Sequence, residues 1–156
     1  MNPQSSRQII LELAWWAFAL ILATLVLLPI YSAGIDFPFY VYNAAAVVVA
    51  ITITRYIFTL HLNWLRDRFI LQGVLCFLMI PTVFLIGQGL NEYITYLDNN
   101  GPDVLIRHLE LEDGRRMRSY LNSEFFFFSI WAVIAGVILP FRVIYRVWTR
   151  YKAVRN

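Results

Sequence analysis

The chain has 156 residues, of which 60% are hydrophobic and only 15% are charged. An ordinary soluble domain has about 25% charged and 45–50% apolar residues, and one soluble core of this size does not hide so much apolar side chain behind so few charges. These numbers exclude an ordinary soluble domain and predict a small multi-pass membrane protein. The formal net charge is +3, but the arginines lie beside apolar segments, so anionic lipids and not nucleic acid are the predicted partners.

Four apolar segments are long enough to cross a membrane as helices. A hydrocarbon core of about 30 Å requires about 20 residues at a rise of 1.5 Å each. The segments are residues 9–31, 38–60, 69–90 and 125–147. Short connections make the first three antiparallel neighbours, and the first is too long for a cleavable signal peptide. The predicted fold is an all-α integral membrane protein, an antiparallel four-helix transmembrane bundle in a single membrane domain.

The first two segments each contain one charged residue, Glu12 and Arg55. Counted from Gly34 in the turn, Glu12 lies 22 residues before it and Arg55 lies 21 residues after it, so an antiparallel hairpin brings them to nearly one depth. Because an unpaired charge in the bilayer costs several kcal/mol, the two are expected to pair. One interpretation is an ion pair that locks the two helices together. The alternative is a proton or ion relay, or an anionic ligand held by Arg55.

Two further polar residues belong to the same third of the bilayer, Gln72 on the third segment and Arg142 at the end of the fourth. With Glu12 and Arg55 they form a predicted intramembrane polar cluster, which is either structural or ligand-binding. Two arginines and one glutamate leave an excess of positive charge, which suits a lipid phosphate or a carboxylate. In the alternative arrangement, Arg142 points away toward the lipid head groups.

The long connection, residues 91–124, reads as a short helical cap on the bundle. The third helix is expected to extend to the Asn-Gly-Pro turn at Gly101. A second short helix follows, capped by Asp103 and ended by the Glu-Asp-Gly sequence at Gly114, before a lead-in to the fourth helix from Arg115. His108 lies in this loop, where it is either an acid, base or pH sensor or simply an exposed side chain.

The sequence contains none of the common motifs that indicate an enzyme active site. It has no GxSxG elbow, phosphate loop or HExxH sequence, and its loop acids do not follow the spacing of a calcium loop. Its single cysteine, Cys76, excludes an internal disulfide, a CxxC pair and a thiolate zinc site. We therefore expect no cofactor, no metal site and no catalytic residues, although an enzyme that works through the outer loop stays open.

Basic residues at the segment ends predict the orientation. Nine Lys and Arg residues lie on the side of the chain termini and four on the side of the long loop, where they are mixed with seven acids. The positive-inside rule then places both termini in the cytoplasm and the loop outside. Arg146, Arg150 and Lys152 extend the fourth helix as a basic stripe, for which we expect lipid head-group binding worth about 1 kcal/mol per charge.

Three short strings in the chain are similar to those of a known group of proteins. They are Thr54-Arg55-Tyr56-Ile57-Phe58, Tyr96-Leu97-Asp98-Asn99-Asn100-Gly101 and Pro140-Phe141-Arg142. They resemble small four-span inner-membrane proteins of Bacteroidota, and the resemblance covers most of the chain. It implies an address in the bacterial inner membrane. Some such proteins are labelled magnesium citrate transporters, but 156 residues are far fewer than carboxylate carriers use, so that activity is not inferred.

The sequence favours a non-catalytic accessory or scaffold subunit of a larger membrane complex. The apolar helix faces exceed what one small bundle uses for its own packing, which predicts membrane protein partner subunits. One alternative is a small transporter, or an anionic lipid-binding or ligand-binding membrane protein, built on the Glu12 and Arg55 cluster. A second alternative is a membrane enzyme or sensor that acts through the outer loop and His108.

Overall fold

The structure, a computed structural model, is all-helical in the part of the chain that it describes. It describes residues 3–59 and 68–155, with the backbone alone for residues 3–6, 69, 150, 151 and 153–155. The helices are α1 (Pro3–Ser32), α2 (Tyr40–Thr59), α3 (Phe69–Asn100) and α4 (Leu111–Arg155). All four are long and apolar enough to cross a membrane, which confirms the predicted multi-pass helical architecture. Most of the predicted connection between the second and third segments lies outside the described residues.

The centre of the bundle is the contact between α2 and α4, which run parallel to each other. Asn43 of α2 bonds Glu124 of α4 toward one end, and Ile57 accepts a hydrogen bond from Arg142 toward the other. Helix α1 packs mainly on α2 and α3 mainly on α4, while α1 and α3 do not contact each other within the described residues. The predicted neighbours α1 and α2 are confirmed, and α3 contacts α2 less than it contacts α4.

Small side chains explain why α2 and α4 approach so closely. Ala46 and Ala50 of α2 are fully buried, as is Ala132 of α4, and the three form one core cluster with Ile86 of α3. In a membrane, helices gain packing energy where small residues let their backbones come near, because lipid supplies no hydrophobic force between them. The alanine faces of α2 and α4 therefore make these two helices the shared core, and leave α1 and α3 at the flanks.

Aromatic side chains close the bundle at the end that carries the long connection, here called the loop end. Phe37 from the connection 33–39, Tyr93 of α3 and Phe125 of α4 are buried together, with ring centroids 5.1 to 6.0 Å apart in edge-to-face geometry. Such pairs contribute about 0.5–1.5 kcal/mol beyond the area they bury. This cluster fixes the outer turns of α3 and α4 against the α1–α2 connection. The opposite end, where α1 begins and α4 ends, is called the terminal end.

The long connection is shorter and less helical than the sequence predicts. Helix α3 extends to Asn100 as expected and stops at Gly101, whose φ of 89° favours glycine. The predicted short helix after Asp103 is wrong, because residues 102–108 form successive turns. The predicted break at Gly114 is also wrong, since α4 begins at Leu111 and continues through it.

Candidate functional site

The first buried polar site joins α1 to α2 in the half of the bundle near the terminal end. Arg55 Nη1 lies 2.8 Å from Glu12 Oε2, and the two side chains are 8% and 15% exposed. Their nearly equal separations from Gly34 along the chain place them opposite each other in the antiparallel hairpin, as the sequence predicts. The pair is thus a buried contact between a cation and an anion at the flank of the bundle.

Aromatic side chains surround the same ion pair. The Arg55 guanidinium lies 5.3 Å from the Trp15 ring centroid and 5.5 Å from that of Tyr56, distances typical of cation–π contacts. The Tyr56 hydroxyl donates to Glu12 Oε2 over 3.3 Å. The cation is therefore compensated by a carboxylate and two rings. These contacts fasten α1, whose crossing segment is mostly exposed, to the central helix α2.

The described contacts of Glu12 do not include the other two members of the predicted polar cluster. The described hydrogen-bond partners of Glu12 are Arg55 and Tyr56, and neither Gln72 nor Arg142 is among them. Gln72 is fully buried on α3. Arg142 is exposed, and its Nε donates to the carbonyl of Ile57 over 3.4 Å. The structure thus shows a contact between two of the four predicted residues, and the wider cluster stays a prediction.

The basic stripe at the terminal end is only partly described. Arg146 is partly exposed, and Lys152 is exposed with its Nζ 4.3 Å from the centroid of the Trp148 ring. The side chain of Arg150 lies outside the described residues. An ammonium group over a tryptophan ring is a cation–π contact, and tryptophan is enriched at the interface between membrane and water. Binding of lipid head groups by this stripe stays a prediction.

His108 holds the long connection to the rest of the bundle. Its Nε2 lies 3.0 Å from the carbonyl oxygen of Ala33 in the α1–α2 connection, and its side chain is exposed. Arg118 of α4 pairs with Asp103 at 2.8 Å, also at the surface. Both contacts tie turns of the connection to neighbouring elements, which is a structural role that residue spacing alone does not reveal.

A second buried polar site joins α2 to α4 near the loop end, and the sequence analysis missed it. Asn43 and Glu124 are 0% and 7% exposed, and Asn43 Nδ2 donates to Glu124 Oε1. The other two polar atoms of this pair, Asn43 Oδ1 and Glu124 Oε2, are buried without a hydrogen-bond partner. The available signals were an asparagine inside the apolar run of α2 and a glutamate directly before four phenylalanines.

A groove between α3 and α4 is the third feature that stands out. It has a volume of about 560 Å³ and an almost wholly apolar lining that includes Cys76, Val83, Gly136 and Pro140. Gly136 sits where the two helices nearly touch, because an added Cβ would lie 2.5 Å from Val83 Cγ2. The groove thus opens on the membrane-facing side of the bundle, beside a point of close helix approach.

Metal binding and known relatives supply no further assignment. Within residues 3–59 and 68–155, no three or more His, Cys, Asp and Glu side chains are placed to hold a metal ion. No family model, curated protein or solved structure matches the chain. Its function therefore has to be inferred from its own residues.

Proposed function

We propose that this protein is a non-catalytic accessory or scaffold subunit of a larger membrane complex. The groove between α3 and α4 is the observation that carries the proposal, and a transmembrane helix of a partner protein is its occupant. We place the protein in a bacterial inner membrane with both termini in the cytoplasm, in keeping with its charge distribution.

The shape of the groove suits a helix of another protein. Three large exposed side chains line the groove: Phe77 and Ile80 of α3 and Phe141 of α4. They project beside it and form its two sides. Helices pack by inserting ridges of side chains into such grooves. Small residues such as Gly136 deepen a groove and are enriched where membrane helices meet.

The backbone carbonyl of a residue that lines the groove supports a protein occupant over an acyl chain. Pro140 has no backbone N–H, so it cannot donate the helical hydrogen bond that the carbonyl of Gly136 would otherwise accept from position 140. In membranes, carbonyls freed by proline are commonly satisfied by neighbouring helices and by Ser or Thr hydroxyls. A partner helix with a hydroxyl side chain meets this requirement, whereas a lipid tail has no donor.

Site-specific photo-cross-linking in native membranes tests the proposal. A photoreactive amino acid at Phe77 or Ile80 is expected to capture one discrete membrane protein that also copurifies stoichiometrically with the unmodified chain in nanodiscs. Matched control sites are Leu13 and Ile21 on α1, which are equally exposed on the opposite flank. Equal capture from both helices, or a lone monomer by native mass spectrometry, would contradict the proposal.

The contacts at Arg55 favour the structural interpretation over transport or anionic ligand binding. A ligand carboxylate would have to share the guanidinium with Glu12, whose own negative charge lies 2.8 Å from it and would repel the ligand. The contact between His108 and Ala33 likewise supports a structural role for that histidine over an enzyme or sensor in the loop.

A further inference from the structure

The Asn43 and Glu124 pair leaves a specific hydrogen-bonding deficit inside the bundle. Asn43 Nδ2 donates to Glu124 Oε1, while Asn43 Oδ1 and Glu124 Oε2 are buried acceptors without a donor. A buried acceptor left unsatisfied costs about 1–3 kcal/mol, and more when it is charged. With an ionised Glu124, the pair thus contains two unsatisfied oxygen atoms, one on each side chain.

A single proton removes both deficits. A protonated carboxyl group is a donor as well as an acceptor, so an Oε2–H group can donate to Asn43 Oδ1 while Oε1 continues to accept from Nδ2. Both bonds then join the same two planar groups, as in a two-bond ring between a carboxylic acid and a primary amide. We propose that Glu124 and Asn43 form a proton-binding site, in which a proton held on Glu124 Oε2 locks α4 to α2 at the loop end.

Within residues 3–59 and 68–155, no described positive charge lies against Glu124 to favour the carboxylate. The ionisable side chains described near Glu124 include Tyr93 of α3 and Tyr120 of α4, and neither is a cation. The described cation whose charge acts on Tyr93 is Arg118 of α4, which forms an ion pair with Asp103 at the surface and not with Glu124. From α1, the contact in this region is a backbone one, in which the carbonyl of Val26 accepts from the Tyr120 hydroxyl over 2.7 Å.

Among the described residues, no arginine or lysine pairs with Glu124. Burial without a cation disfavours the charged form of a carboxyl group. The electrostatics and the hydrogen-bond count therefore agree on a neutral Glu124. Deprotonation would place a carboxylate against the amide oxygen of Asn43, and would loosen the contact between α2 and α4 from the loop end.

Infrared spectroscopy of the full chain in lipid bilayers detects the proton directly. At neutral pH we expect a carbonyl stretching band of a protonated carboxylic acid, which shifts in D2O. Glu124→Gln should abolish this band, whereas Glu92→Gln, at an exposed glutamate of α3, should leave it unchanged. Absence of any such band that depends on Glu124 would overturn the proposal.

Two further variants separate the proton from a general loss of folding. Glu124→Gln keeps both hydrogen bonds, because its amide donates to Asn43 Oδ1 and accepts from Nδ2, so it should fold and lose only the response to pH. The wild-type melting temperature should fall as the pH rises from acidic to neutral, where the unfolded chain has released the proton that the folded chain still holds, and that of Glu124→Gln should fall less. Asn43→Leu should shift the carbonyl band to higher frequency by removing the partner. Equal pH responses, or an unshifted band, would overturn the proposal.

Discussion

Arg55 carries a charge that the bilayer penalises, and the side chains around it offset that penalty. Glu12 supplies the opposite charge at 2.8 Å, and Trp15 and Tyr56 supply ring faces. Breaking a buried ion pair from one side costs about 3–5 kcal/mol, because the remaining charge stays buried without its partner. We therefore expect Glu12→Gln to lower the free energy of unfolding by about that amount, measured by thermal or denaturant unfolding in a fixed detergent.

A double-mutant cycle distinguishes this pair from two independent contacts. Replacing both residues with apolar ones, as in Glu12→Leu with Arg55→Met, removes the stranded charge and should recover much of the stability lost in either single variant. Glu92→Gln is the matched control, because Glu92 is exposed and bonds only the neighbouring turn through Gln88. Strictly additive losses would show that Glu12 and Arg55 do not stabilise each other.

The two buried polar sites differ in how far the sequence could predict them. Glu12 and Arg55 lie on helices joined by a short turn, so their depths follow from counting residues on either side of it. Asn43 and Glu124 lie 81 positions apart on parallel helices. No pattern of neighbouring residues in the sequence predicts that α2 and α4 contact each other. Pairing of these helices depends on which small faces pack best, a property of the assembled bundle. The hydrogen-bond partner of a polar residue in one span therefore cannot be predicted before it is known which helices pack together.

Two glycines on the same turn of α3 test its contact with α2. Gly89 lies against Tyr42, where an added Cβ would overlap the tyrosine ring and come within 2.8 Å of the Tyr42 Cβ, whereas an added Cβ at Gly87 would have nothing within 4 Å. Gly89→Ala should therefore destabilise the bundle by about 1–3 kcal/mol through overpacking. Gly87→Ala should be neutral or stabilising by up to about 1 kcal/mol, because alanine is the better helix former. Similar unfolding energies for both variants would contradict this contact.

Helix ends were predictable where a backbone requirement decides them, and not where packing does. Gly101 ends α3 because the chain there adopts a positive φ, which the Asn-Gly-Pro sequence announces. Gly114 does not end a helix, since it lies in the first turn of α4 behind two acids that favour a helix start. Ile106 packs beside it, 3.4 Å from where a Cβ would lie. The Glu-Asp-Gly sequence thus lies at the start of α4 and not at the end of a helix. The preceding turns bury their apolar side chains against the bundle instead of forming a helix.

In the whole molecule, α2 and α4 form the central pair of helices. Helices α1 and α3 pack on opposite sides of this pair. The two flanks differ in how their helices are held and in what they expose. Helix α1 is fastened through an ion pair, and α3 with α4 frames an open groove. The asymmetry is the reason to expect a partner on the side of α3 and lipid on the side of α1.

Charge asymmetry along the bundle predicts its orientation in the membrane. The terminal end has an excess of basic residues, whereas the loop end mixes arginines with acids, so the terminal end should face the cytoplasm. In a background with Cys76→Ala, a cysteine placed at Asn99 should react with a membrane-impermeant maleimide in intact spheroplasts. A cysteine at Lys152 should react only after the membrane is disrupted. Both positions are exposed, so the reverse pattern would mean the opposite orientation.

The orientation also decides which compartment supplies the proton of Glu124. That residue lies near the loop end, directly before Phe125 of the aromatic cluster, so with the loop end outside, its protonation should follow the external pH. Reconstituted vesicles in which only the outer buffer is changed can separate the two cases once the labelling has shown the orientation of the chain. A carboxylic acid band that responds to the pH on the side of Asn99 links the buried pair to the outer compartment. A response to the pH on the side of Lys152 would require a path through the terminal end, past Glu12 and Arg55.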